Sequence, residues 1–484
     1  MLKKQGFMKQ IYFDYAATTP VDPLVKAAMA PYFSEKFGNP GSLHFFGQEA
    51  MAAVDFSRET IAKAIGADFH EIIFTGSATE ANNLALRGIT EGFRHQALGI
   101  RNEKNKNLAP SAYGLVPRII ISAIEHESIL ETAKDLENEG VDPVRNLARA
   151  RAPEGPLGRA ISNGVEVIYL PVNKTGLVDL KKLESSLNER TILVSIMSAN
   201  NEIGTIQPIA EISKLISEFR KKKVENRNNE NSNFYFLDSR FPLFHTDAVQ
   251  AFQFLDCDAE KLGIDLMTLS AHKIYGPKGV GALYLRGTRR QALGARNENN
   301  KFLKPSAYSL APITTGGGQE FGFRSGTENV AAIAGFAKAV ELASQLRKKE
   351  SKRIGELKDY FWRELKKVYP PAQINADPTR TNAEKIPRSS ASGPRLSAIL
   401  PNILNIYFPG HSADNLLIKL DMAGVAASAG SACSVRSVKP SHVLTALGLA
   451  PERIRASVRF GFGRFTTKKE IYESVRRIKK ILGK

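Results

Sequence analysis

Short apolar runs recur along the first part of the chain, each closed by a polar turn and followed by a stretch of helical period. Glu71-Ile72-Ile73-Phe74 precedes a helical stretch from Ser77 to Arg87, and Arg118-Ile119-Ile120-Ile121-Ser122 precedes one from about Glu127 to Asn138. Val165 to Leu170 and Thr191 to Met197 flank a helical segment near Leu180, Ile209 to Arg220 is again helical, and Phe244-His245-Thr246 leads into a further strand end. Runs this short and this continuously apolar are strands covered on both faces. Their alternation with helices predicts an α/β fold built on a mainly parallel sheet.

From about residue 345 the pattern changes. A long helix-prone stretch gives way to a strand at Ile403 to Tyr407, a helix near Asp414 to Met422 and a strand near Ser457 to Phe460. A closing helix carries Ile471, Val475, Ile478 and Leu482 at helical spacing, with Thr466 or Thr467 as its cap. At 484 residues the chain exceeds what one hydrophobic core holds. The expected division is a large α/β domain over 22–344 and a smaller α+β domain made of 1–21 and 345–484.

The formal charge of +18 invites a nucleic-acid partner. Its distribution argues against one. Residues 94–117 (RHQALGIRNEKNKNLAPSAYGLVP) and 289–312 (RRQALGARNENNKFLKPSAYSLAP) are near copies, identical at 17 of 24 positions. Segments 143–162, 222–243 and 377–396 share their Arg-, Asn- and Pro-rich character, and the five together carry +13 of the +18. Three of them, 94–117, 143–162 and 222–243, fall between a helix and the next strand, at the N-terminal edge of such a sheet. Ligands bind at the other edge, so the basicity belongs to insertions and neither nucleic acid nor membrane is expected as a partner. No apolar stretch reaches the ~18 residues of a membrane span, and the basic start, with Met1 or Met8 as first residue, leads into no cleavage site. Two cysteines, Cys257 and Cys433, exclude a disulfide scaffold and suit a reducing compartment, so a cytoplasmic location is expected.

The chemistry-bearing residues cluster at strand ends. Lys273 lies in Ser270-Ala271-His272-Lys273-Ile274-Tyr275-Gly276-Pro277-Lys278-Gly279, between apolar runs at 266–269 and 280–285. A lysine fixed in such a turn can condense with a carbonyl once its amine is desolvated. Asp247, in His245-Thr246-Asp247-Ala248-Val249-Gln250, could hold a pyridine nitrogen protonated, with Gln250 in reach of a phenolic oxygen. His126, just past a strand, could cover one face of a ring and exchange protons near neutral pH. Thr75-Gly76-Ser77-Ala78-Thr79-Glu80 opens a helix, where the backbone at Ala78 and the Thr79 hydroxyl make an anion site that Ser270 and His272 could join. Asn201 follows the Thr191 strand, and Arg459 could fork a carboxylate. Cys433 sits in a loop of small residues with Arg436 and Lys439 nearby, which favours its thiolate. Cys257, between two acids, has no assigned role, and no metal is expected. Each of these has a plainer alternative: a solvated lysine, a capping Asp or His, a surface ion pair, an inert thiol.

The blocks YFDYAATTP (12–20), FGNPGS (37–42), FTGSATEANN (74–83), EHES (125–128), SIMSANNEIGTIQPI (195–209), HTDAVQ (245–250), SAHKIYGPKGVGALY (270–284), GGGQEFGFRSGTEN (316–329), PNILNI (401–406), SAGSACS (428–434) and VRFGFGRFTT (458–467) run in order along the chain outside the insertions. Together they resemble the cysteine desulfurases, within the aminotransferase class V group of fold-type I pyridoxal-phosphate enzymes. That resemblance implies a seven-stranded large domain and a homodimer. It also implies that Lys273 holds pyridoxal 5'-phosphate, His126 stacks on it, and Asp247 and Gln250 bind its nitrogen and phenolic oxygen. Ala78, Thr79, Ser270 and His272 would hold the phosphate, with Thr327 reaching across from a second subunit. Asn201 and Arg459 would bind substrate, and Cys433 would take the sulfur.

The span from Cys433 to Pro440 looks like the branch with a long cysteine loop. Gly76-Ser77 stands where many relatives have Ser-Gly, and the chain ends at Lys484 soon after its last helix, where relatives that dock an iron–sulfur scaffold often continue. The implied reaction converts L-cysteine to L-alanine, with sulfur passed through a Cys433 persulfide to an acceptor protein for iron–sulfur assembly or tRNA thiolation. Two other readings stay open. One is a related lyase, selenocysteine lyase or aminotransferase on the same cofactor site, in which Cys433 is dispensable. The remote one is a basic RNA-binding protein on a degenerate enzyme fold.

Overall fold

In a computed structural model, residues 9–103, 116–139, 164–229, 240–288, 310–376, 399–430 and 440–483 are described. The strands are β1 (Ile11–Tyr12), β2 (Ile72–Thr75), β3 (Arg118–Ser122), β4 (Glu166–Leu170), β5 (Thr191–Ser195) and β6 (Leu243–Asp247). They continue with β7 (Leu266–Ser270), β8 (Gly281–Leu285), β9 (Gln373–Ile374), β10 (Ile403–Tyr407), β11 (Val425–Ala426) and β12 (Ser457–Gly461).

Seven of these form one sheet in the order β2-β8-β7-β6-β5-β3-β4. Only β8 runs antiparallel to its neighbours, so the sheet is mainly parallel as the apolar runs predict. Every residue of β5, β6, β7 and β8 is buried. Alternate side chains of a strand serve opposite faces: Ile120 of β3 joins one apolar cluster while Ile119 and Ile121 join the other. Two covered faces are the reason the strand sequences show no polar alternation.

Two helices run further than their sequences suggest. The helix after β2 spans Ala78–Glu103 and enters the first of the near-copied segments, and the helix after β5 spans Ile209–Asn229. Neither extension contains Pro, and Gln96-Ala97-Leu98 and Lys221-Lys222-Lys223 are good helix formers, so both helices continue past the fading of apolar periodicity, the first through Gly88, Gly92 and Gly99. The long helix is Val330–Val368; its first part is buried almost all round, and its second buries Ile354, Phe361 and Leu365 as a stripe. It runs unbroken through residue 345. Phe361 meets Phe13, Phe460 and Phe462, which joins this helix to the antiparallel sheet β12-β10-β9 and to the segment after β1. The closing helix Lys468–Ile481 is capped by Thr467 in a reciprocal box with Glu470.

The topology separates chemistry from insertions. β2, β3, β5, β6 and β7 point the same way, and their C-terminal ends meet at one edge. The described residues flanking segments 94–117, 143–162 and 222–243 lie at the other edge, as does the end of β8 that leads to 289–312, because β8 is reversed. No described helix is long and apolar enough to cross a membrane.

Candidate active site

β7 ends at Ser270 and turns tightly through Ala271–Lys273. Tyr275 then adopts a left-handed φ of 68°, uncommon for a bulky residue and a strained arrangement that its neighbours must hold in place. Thr19 supplies much of that hold. Its hydroxyl donates to the His272 carbonyl at 2.9 Å and accepts from the Tyr275 N–H at 2.8 Å. The turn is thereby fixed against the segment after β1, and Lys273 Nζ donates to the Ala16 and Ala17 carbonyls at 2.7 and 2.6 Å. Gln250 Nε2 donates to the same Ala16 oxygen at 2.9 Å.

At the end of β6, Asp247 accepts from the Val249 N–H at 3.0 Å with one oxygen and from Asn82 Nδ2 at 2.9 Å with the other. Asn82 lies one turn into the helix from Ala78, on the same face. Its amide also donates to Ser128 Oγ at 2.8 Å, and Ser128 Oγ stands 2.8 Å from His126 Nδ1. The Ser128 N–H donates to that same nitrogen at 3.1 Å. Nδ1 is therefore an acceptor, and neutral His126 carries its proton on Nε2. One hydrogen-bonded chain, Asp247–Asn82–Ser128–His126, thus links two of the residues singled out from sequence through two that were not.

Lys273, His126, Asp247, Gln250, Asn201 and Arg459 all line one cavity of about 180 Å³, together with Ala78, Thr79 and His272. Burial, aided by the charges of Lys273 and Lys278, pushes His272 down to about 4. It is neutral at ordinary pH, its Nδ1 3.1 Å from Thr18 Oγ1. It can give an anion a hydrogen bond but not a charge. Ser270 is buried at the end of β7 and is not among the residues lining the cavity. Thr327 is exposed and lies outside this chain's own cavity as well. Cys433 lies outside the described residues. Cys257 is buried and its thiol is pushed up to about 12, an inert group. His245 is a core residue between Ser195 and Thr268.

Arg459, 1% exposed, donates to Asp14 at 2.8 Å and to the Asn201 carbonyl at 2.9 Å. Its guanidinium is paired with an acid, as the plainer alternative has it, and yet it faces the cavity; its buried Nε has no partner among the described residues. Asp14 has no assigned role in the sequence reading. The block 12–20 points to the segment, but only the folded chain shows that its carbonyls and one carboxylate reach three site residues.

The residues fit pyridoxal 5'-phosphate. The peptide between Ser77 and Ala78 opens a helix beside β8, and a Cβ on Gly281 would stand 2.8 Å from Ser77 C and 3.0 Å from Ala78 N. Only glycine leaves that anion cradle intact. Asn82 Oδ1 is buried in the site and has no hydrogen-bond partner among the described residues, an acceptor that a bound polar group would satisfy.

Glu125 is a further group that sequence reading passed over. It is wholly buried; one oxygen accepts from Ser122 Oγ at 2.5 Å and the Met197 N–H at 2.9 Å, and the other has no partner among the described residues. Burial raises it to about 8, with the Asp247 charge adding. The folded carboxyl keeps its proton to about 8 and the unfolded one loses it near 4.5, so unfolding releases a proton between those values. Stability is therefore full at low pH and falls as pH rises through that window. We expect the wild-type Tm to drop by several degrees from about pH 5 to about pH 9 and Glu125→Gln to lose that part of the slope. Equal slopes would refute the assignment.

The Aminotransferase class-V family profile matches residues 11–148, 158–224 and 240–473. A protein of Dictyoglomus turgidum named cysteine desulfurase IscS is 38% identical over 477 residues, 98% of this chain and 95% of that one. Among solved structures, a NifS-like protein superposes with a TM-score of 0.70 at 30% identity, covering 98% of this chain and 99% of its own. SspA in complex with cysteine gives 0.65 at 29% identity, with 94% and 99% covered. With profile, relatives and cavity in agreement, the chain belongs to the pyridoxal-phosphate-dependent class-V aminotransferase family.

Proposed function

We propose that this chain is a cysteine desulfurase, converting L-cysteine to L-alanine and collecting the sulfur on Cys433 for transfer to an acceptor protein of iron–sulfur cluster assembly. The observation that carries the reading is the convergence of Lys273, His126, Asp247 and Arg459 on one cavity. A similar structure with cysteine bound supports the substrate.

Bound pyridoxal phosphate supplies an aldehyde and an electron-accepting ring. The chain supplies the rest. Asp247, with its oxygens held by the Val249 N–H and Asn82 Nδ2, would accept a hydrogen bond from the protonated ring nitrogen. Ala78 and Thr79 hold the phosphate at the helix start, with His272 as a neutral donor. Lys273, aimed by the Ala16 and Ala17 carbonyls, takes the substrate's Cα proton. Arg459 and Asn201 bind the substrate carboxylate. His126 offers Nε2–H from a ring locked by Ser128.

The Cys433 thiolate then attacks the substrate sulfur. The S–S bond of a persulfide forms, the S–Cβ bond breaks, and its electron pair ends on carbon, which is protonated to give alanine. The Glu202 carboxylate accepts from Ser441 Oγ at 2.6 Å and stands 3.4 Å from where a Gly430 Cβ would be, near the described residues on either side of the segment that carries Cys433. A two-fold dimer in the cytoplasm completes the reading. Phe37, Leu43 and Phe45 are exposed, and a second copy would cover them while receiving Thr327.

Incubation with L-cysteine and a thiol reductant should yield alanine and sulfide in equal amounts. Borohydride reduction of the holoprotein should fix the pyridoxyl group on Lys273. Pyruvate in place of alanine, or the label on another lysine, would overturn the proposal.

A further inference from the structure

Thr327 ends a glycine-rich segment that begins near Thr314, and nothing in such a sequence stiffens it. The folded chain stiffens it with a buried ion pair. Glu320 points inward, 3% exposed, and its carboxylate takes both Arg58 guanidinium nitrogens at 2.7 and 2.8 Å and the Phe74 N–H at 2.8 Å. Arg58 also donates to the Ile72 carbonyl at 2.5 Å. The rings of Phe69, Phe74 and Phe321 lie 4.8 to 5.6 Å from its guanidinium carbon.

The backbone pays a strain for this: Glu320 and Phe321 both take left-handed φ, 49° and 58°. Consecutive non-glycine residues hold such angles only where their surroundings impose them. A second tie lies four residues on. Arg324 Nε donates to Glu80 Oε1 at 2.8 Å, while Glu80 Oε2 accepts the Gly76 N–H at 2.7 Å in the turn that opens the phosphate-binding helix. The exposed Thr327 follows Arg324 after only two residues, Ser325 and Gly326.

We infer that Arg58 and Glu320 are positioning residues for Thr327, bolting its segment to β2 so that the threonine stands ready for the phosphate bound by a second copy, with Glu80–Arg324 as the lighter second bolt. The inference rests on the reading of Thr327 given above. Neither member of the buried pair is among the residues lining the cavity. Their effect on cofactor binding passes through the threonine.

The test is a double-mutant cycle on the dissociation constant of pyridoxal phosphate, titrated into the full-length apoprotein and followed by the absorbance of the bound cofactor. Thr327→Ala removes one hydrogen bond to a charged group and should weaken binding about tenfold or more. Glu320→Gln should weaken it by a similar factor. In the Thr327→Ala background, Glu320→Gln should add nothing, because the residue it positions is already gone. A merely structural role would give multiplying losses or a change in Tm alone, and either result overturns the inference while the reading of Thr327 stands. Unchanged affinity in Thr327→Ala overturns that reading, and the inference with it. Should Glu320→Gln fail to fold, Arg324→Gln takes its place in the cycle with the same expected non-additivity, since its ion pair is a quarter exposed and can be lost without stranding a buried charge.

Discussion

Replacing Lys273 with alanine should leave a folded protein that turns over L-cysteine about 10⁴-fold more slowly or worse. The fold should survive because water can take over the contacts of the Lys273 amine with the Ala16 and Ala17 carbonyls, while Thr19 keeps the turn through backbone atoms of His272 and Tyr275. The activity should not survive, because Lys273 is the only primary amine lining the cavity among the described residues. His126 cannot substitute: its Nδ1 is engaged by Ser128 and its Nε2 carries the proton. The check has two parts, turnover and borohydride trapping. Pyridoxal phosphate should still bind, since Asp247 and the Ala78 turn are untouched, but without covalent retention after reduction and denaturation. A variant that keeps a tenth of wild-type turnover would show that another base does the work.

How far the sequence exposes this site depends on what each residue's role needs. Lys273, His126 and Asp247 stand just past apolar runs, and in a parallel sheet those positions converge at one edge whatever the details of packing. Their meeting was therefore legible before any coordinates. Asp14, Asn82, Ser128 and Glu125 were not. Asn82 and Ser128 act as links in a hydrogen-bonded chain whose members are far apart in sequence, and Glu125 looks like any acid at a helix start until its burial is seen. Ser270, three residues before the lysine, is buried at the end of its strand and is not among the residues lining the cavity, a placement its sequence does not show. The reversal of β8 also has no signature in its residues, because a buried antiparallel strand is as uniformly apolar as a parallel one. The same limit applies to helix ends. Periodicity fades once a helix leaves the core, yet Ala78–Glu103 continues, through three glycines, because it has no proline to end it.

Cys433→Ala should abolish sulfide and alanine formation to about 10³-fold below wild type or lower, while leaving pyridoxal phosphate affinity and borohydride trapping on Lys273 intact. The two variants thus separate the two halves of the reaction. Proton removal from the substrate depends on Lys273, whereas breaking the S–Cβ bond needs a nucleophile that accepts sulfur without its electron pair. Cys257 cannot stand in, since it is buried at 1% exposure with its thiol pushed up to about 12. Loss of the substrate's Cα proton should consequently persist in Cys433→Ala, visible as exchange of that hydrogen with deuterium from solvent, and should vanish in Lys273→Ala. The same comparison decides against the nearest rival. A lyase on this cofactor site would release sulfide by elimination, with the electron pair leaving on sulfur, and would make pyruvate whether or not Cys433 is present. Near-normal alanine and sulfide from Cys433→Ala would therefore remove the persulfide step and leave Lys273 and its cavity serving a different reaction.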